Sequence, residues 1–172
     1  MKNMLKLKSS LAAALVAAVV LNAVQFSQSA LGNDAKEVLR LSLPAPTLKG
    51  TPEDLPLGPN IDPLSDKPRP PFMVTKGVQN VALGKPVTSS VKPFSGELNQ
   101  ITDGKKEAFD YDAVEMRRGT QWIQVDLGEV YEIHAIVMWH DHRYIQVMHD
   151  VILQVSNDPE FQKDVVTVFN ND

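Results

Sequence analysis

Apolar residues in the second half of the chain come in short runs of alternating polarity, broken by Gly, Asn, Asp and Pro. A period of two marks strands with one face in a core and the other in water. Gln121–Leu127 (QWIQVDL) sets Ile123, Val125 and Leu127 on one face, with Gln124 and Asp126 on the other. In Glu132–Trp139 (EIHAIVMW), Ile133, Ala135 and Val137 alternate, but Ile136 and Met138 make the opposite face apolar too. That pattern predicts a central strand covered on both sides. Asp150–Val155 and Asp164–Phe169 complete the set, with Val81-Ala82 and Val87-Thr88 as short strands in a loop-rich stretch over 78–120. Gly128-Glu129 and Ser156-Asn157-Asp158-Pro159 supply turns. The downstream chain has no long amphipathic period, so the predicted fold class is all-β.

The N-terminus follows another pattern. Lys2, Lys6 and Lys8 precede an apolar run of 14 residues from Leu11 to Val24, and Ser27-Gln28-Ser29 places small residues before a cleavage point. The run falls short of the roughly 20 residues that span a bilayer, so residues 1–29 read as a signal peptide, and the protein is expected to be secreted, periplasmic or at the cell surface. The alternative is an uncleaved anchor lengthened by Phe26. Nine of the 12 prolines then fall between Pro44 and Pro71. Residues 30–76 therefore read as a Pro-rich linker, or as an extended arm laid on the domain through its scattered apolar residues. Residues 77–172 form the predicted domain.

Loss of the leader would take three lysines and no acid, leaving 14 basic against 21 acidic side chains and a net charge of −7. Such a balance excludes nucleic acid as a partner, because phosphate binding needs a basic face. With no cysteine there is no lipoprotein anchor and no disulfide, so the core must hold the domain together.

Four segments taken in order carry a resemblance: Asn80–Ser90 (NVALGKPVTSS), Ile101–Gly104 (ITDG), Gln121–Gly128 (QWIQVDLG), and His149-Asp150 leading into Gln154–Asp158 (QVSND). Together they resemble the discoidin, or coagulation factor 5/8 type C, domains, grouped with galactose-binding-like carbohydrate-binding modules. The resemblance implies a jelly-roll β-sandwich with a ligand surface among the loops at one end. It also implies further strands past Val165–Phe169, so the chain reads as a fragment lacking its closing strands.

In the resembled family the Asp of the Asp-Gly pair helps hold a structural calcium ion, which makes Asp103 the candidate metal residue. Here Lys105-Lys106 follows, and the other reading is an ordinary Asp-Gly turn. The stretch MWHDHRYIQVMHD over 138–150 holds three of the four histidines. As a loop of a sugar-binding module it would offer Trp139, His140, His142, Arg143 and Tyr144, an aromatic ring to stack on a sugar face and polar groups to bond its hydroxyls. As a metal centre it would gather His140, His142 and His149 on a hairpin, three nitrogens with an open fourth position, although the spacing matches no established zinc motif. The third reading is a plain polar loop. Trp122 reads as a packing residue, and Glu115, Arg117 and Arg118 as ligand-facing or simply solvated. No nucleophile elbow, phosphate loop or dinucleotide fingerprint is present.

The expected function is non-catalytic attachment to carbohydrate on a cell surface, matrix or polysaccharide, alone or as the targeting part of a longer protein. The alternatives are a module that adheres to a protein partner and a metal-dependent hydrolase built on the histidines.

Overall fold

The computed structural model describes residues 4–9, 14–15, 22–23, 35–45, 67–68, 70–107, 112–141, 143, 148 and 150–171. The central feature is the strand from Gln121 to Asp126, where the predicted alternation holds: Ile123, Val125 and the following Leu127 are all buried. Each side chain removed from water there contributes roughly 1.5–3 kcal/mol, which is why this segment anchors the sheet. Gln124, on the opposite face, is buried as well, and its Nε2 donates to the Pro159 carbonyl oxygen at 3.1 Å. Burial without such a partner would cost more than the strand gains.

The strands in chain order are β1 (Met4–Ser9), β2 (Ala14–Leu15), β3 (Asn22–Ala23), β4 (Lys36–Val38), β5 (Met73–Thr75), β6 (Gln79–Asn80), β7 (Val87–Ser89), β8 (Val114–Glu115), β9 (Gln121–Asp126), β10 (Val151–Ser156) and β11 (Val166–Asn170). Five of them form one sheet in the order β11-β10-β1-β9-β7. The remainder pair two by two, β2 with β8, β3 with β6 and β4 with β5. Among the described residues there is no α-helix, only a 3₁₀ turn at Leu98–Thr102. The all-β prediction holds among the described residues, as a β-sandwich with small sheets.

The core gathers Ala82, Ile101, Val114, Met116, Ile123, Val125, Leu127, Val151 and Leu153, so β9 and β10 close over the 3₁₀ turn and β8. Two of the sequence segments singled out above are tied directly to each other. Gly84 N donates to the Thr102 carbonyl at 2.7 Å, and Thr102 Oγ1 donates to the Lys85 carbonyl at 2.8 Å. Asp126 N then reaches the Pro86 carbonyl at 3.0 Å, fastening β9 to the same loop.

Two expectations change, and a third segment takes a place that the pattern did not foretell. Glu132–Trp139 does not join the sheet; within it only Ile133 makes a bridge. Its two-sided apolarity has another cause: Ile133, Ile136 and Met138 pack on the core while the segment crosses β10 and β11. β9 is flanked by β1 and β7, and β10 by β1 and β11, so neither of these two strands offers it a ladder position. Val81-Ala82 likewise forms no strand, although Ala82 is completely buried, and the short pairing lies one step earlier at Gln79–Asn80.

Third, Met4–Ser9, within the segment read as a leader, lies as β1 between β9 and β10, antiparallel to both. The cleavage segment itself, and residues 46–66 of the Pro-rich stretch, lie outside the described residues. The parts of that stretch that are described are paired: Lys36–Val38 runs antiparallel to Met73–Thr75, and Val74 is buried. No helix among the described residues is long and apolar enough to cross a membrane.

Candidate functional site

Residues 139–143 leave the crossing segment and enter the histidine-rich loop. Trp139 turns to one side: its Nε1 donates to the Lys106 carbonyl at 3.1 Å and its ring packs on Ala113. His140 turns to the other side and lines a hollow of about 570 Å³ with His134, Ile136, Met138, Leu153 and Phe169 among its walls. The two neighbours therefore meet different surroundings, as adjacent residues of an extended chain do.

Asp141 is buried and organises the turn that follows. Its Oδ1 accepts from Arg143 N at 2.9 Å and from Arg143 Nε at 3.1 Å, and Oδ2 accepts from Nη2 at 2.8 Å. The paired, planar contact fixes the guanidinium in a way a lysine ammonium would not. With its side chain only 2% exposed, Asp141 needs this partner, whereas Arg143 keeps 31% of its side chain at the surface. The carboxylate thus holds an arginine in a set orientation at the rim of the loop. His142, Tyr144 and His149 lie outside the described residues.

The hollow behind His140 is apolar except for two imidazoles. His134 Nε2 and His140 Nδ1 are both buried there without a hydrogen-bond partner. Burial pushes the His140 imidazole below its ordinary value, because the charged form cannot be solvated. His140 is consequently neutral near pH 7. Of the three histidines in the metal reading only His140 is described, and no group of three metal-ligating side chains occurs among the described residues.

The Asp-Gly pair forms a turn. Asp103 follows the 3₁₀ helix as its C-cap, its Oδ1 accepts from Lys105 N at 2.8 Å, and Gly104 takes φ +84°. A calcium ion needs six to eight oxygens, several of them backbone carbonyls. Here the Gly104 carbonyl accepts from the Lys106 ammonium at 3.2 Å, so that oxygen is already turned to a side-chain cation. As arranged, the groups around Asp103 fit a closed turn and do not fit a calcium cage. Lys105 also approaches Asp112 at 3.7 Å, at the surface.

Two features of the site escaped the pattern reading. Asp141 as the partner of Arg143, and His134 as a wall of the hollow, carry no motif of their own in the sequence. The spacing of His134, Ile136, Met138 and His140 at every second residue was the signal that all four line one hollow.

Residues 100–172 match a family model of the F5/8 type C class described as NedA-like, galactose-binding domain. The match covers the end of the 3₁₀ turn, β8 to β11 and the whole histidine-rich loop. No curated protein and no solved structure matches the chain.

Proposed function

We propose, from the match of residues 100–172 to an F5/8 type C, galactose-binding-like family model, that the protein is an exported, non-catalytic module that attaches to carbohydrate. The family match across the histidine-rich loop carries the reading. The loop's chemistry supports it: Arg143, oriented by Asp141, offers guanidinium N–H groups to sugar hydroxyls, with His142 and the Tyr144 ring as its companions. Trp139 and His140 serve this surface from behind, one tied to Lys106 and the other set into the hollow. Export rests on the leader-like pattern of residues 1–29. Calcium is left out of the proposal on the geometry of the Asp103 turn.

The test is a glycan array probed with the full chain, galactose-terminated glycans included, with calcium and with chelator. Beside it run Tyr144→Ala and Arg143→Lys, the latter chosen because it keeps a cation opposite buried Asp141 while losing the fork. The expected result is binding indifferent to chelator and reduced about tenfold or more in both variants, as loss of a stacking ring or a bidentate group should be. A folded chain that binds no glycan would overturn the proposal.

A further inference from the structure

The strand β1 occupies a place that its sequence does not suit for permanence. Its backbone pairs in register with β10 on one side, from Met4↔Ser156 to Ser9↔Val151, and with β9 on the other, from Met4↔Asp126 to Ser9↔Gln121. Every residue of the segment thus lies in a ladder on both sides. Yet the same residues are the lysine-bearing start of a stretch patterned as a leader. Loss of that stretch would leave β9 and β10 facing each other across a missing strand, with their inner N–H and C=O groups unpaired. Open strand positions of this kind bind extended peptides, because main-chain hydrogen bonds supply affinity and alternate side chains supply selectivity.

We infer that the gap between β9 and β10 is a strand-accepting slot for which Met4–Ser9 is a replaceable occupant, and that it takes in trans an extended peptide of the same alternating pattern. The register defines that peptide. It runs antiparallel to both neighbours and carries apolar residues at the positions of Leu5, opposite Val125 and Val155, and of Leu7, opposite Ile123 and Leu153. Val125, Ile123 and Leu153 are buried, so the peptide's apolar positions are those that register with them. Polar residues belong at the positions of Lys6 and Lys8, which register with Gln124 and Trp122 on β9. A one-residue slip would put the polar positions into the core, so the slot selects sequence phase as well as extended shape.

The inference does not depend on carbohydrate binding, and it is separable from leader cleavage. The full chain carrying Leu5→Pro and Leu7→Pro can no longer form the β1 ladders, since proline lacks the N–H and is excluded from central strands. It is titrated with a labelled peptide copying residues 2–10 (KNMLKLKSS) and with the phase-shifted KNMKLKLSS, read by anisotropy and by hydrogen exchange. Expected are lowered protection over 121–126 and 151–156 in the variant, its recovery with the first peptide, and at least about tenfold weaker binding of the second. The unaltered chain should bind the first peptide more weakly than the variant does, its own strand being in place.

Unchanged protection in the variant, or equal binding of the two peptides, would overturn the inference. If the variant also loses the β7–β9 and β10–β11 ladders, Leu5→Ala with Leu7→Ala replaces it. Excess peptide must then raise protection over 121–126 and 151–156, and failure to do so counts against the slot. Leader removal is read independently from the N-terminal sequence of exported protein.

Discussion

Gly96 has φ +80°, and a Cβ there would stand 2.5 Å from the Ala113 carbonyl oxygen, a backbone atom two residues before the Ser95↔Glu115 bridge. Strain and overlap add at this one position. Gly96→Ala is expected to cost about 1–3 kcal/mol, read as a lowered urea midpoint with unchanged slope. His140 makes a second prediction. Its imidazole titrates below the ordinary 6.5 because of burial. The unfolded chain therefore takes up the proton more readily, and protonation favours unfolding. Stability should be complete above about pH 6.5, fall as the pH drops, and level off below the folded value. Urea midpoints at about pH 7.5 and about pH 5 should differ in that direction, and His140→Phe should shrink the difference. Residues of this sort were only partly visible in sequence. The period of two marked Ile123, Val125 and Leu127 as buried, but a lone glycine or histidine has no period, and its burial is decided by chain from elsewhere.

Among the elements, β11 stands at the edge of the large sheet with Val166, Val168 and Phe169 all exposed, and a register shift lies opposite Leu153/Gln154 of β10. Such an edge is a template for another strand, only partly blunted by its irregular register. Val166→Lys with Val168→Lys should suppress concentration-dependent association in sedimentation velocity, while thermal stability changes little because both side chains already face solvent. Strands β9, β10 and β11 were legible because each carries its own alternation between turn residues. Glu132–Trp139 was misread for an instructive reason: apolarity on both faces is shared by a central strand and by a segment crossing between a core and a hollow. Only the supply of backbone partners separates the two, and that is a property of the sheet.

For the whole molecule, the pattern of residues foretold an all-β sandwich and the loop region of interest, but not the order β11-β10-β1-β9-β7. Strand order follows from which edges are complementary once the chain has collapsed, and no local window contains that information. The order places the earliest strand of the chain between two of the latest, with Leu5 opposite Val125 on one side and Val155 on the other. Contacts separated by more than a hundred residues carry a large loop-closure cost before they give anything back, so folding of this sheet should be slow compared with one built from hairpins. On the ribosome the effect is sharper. The N-terminal strand is made first and must wait for β9, and then for β10, to emerge. Throughout synthesis the nascent chain lacks a finished sheet, and it is in that interval that a translocation machinery or a chaperone would meet it.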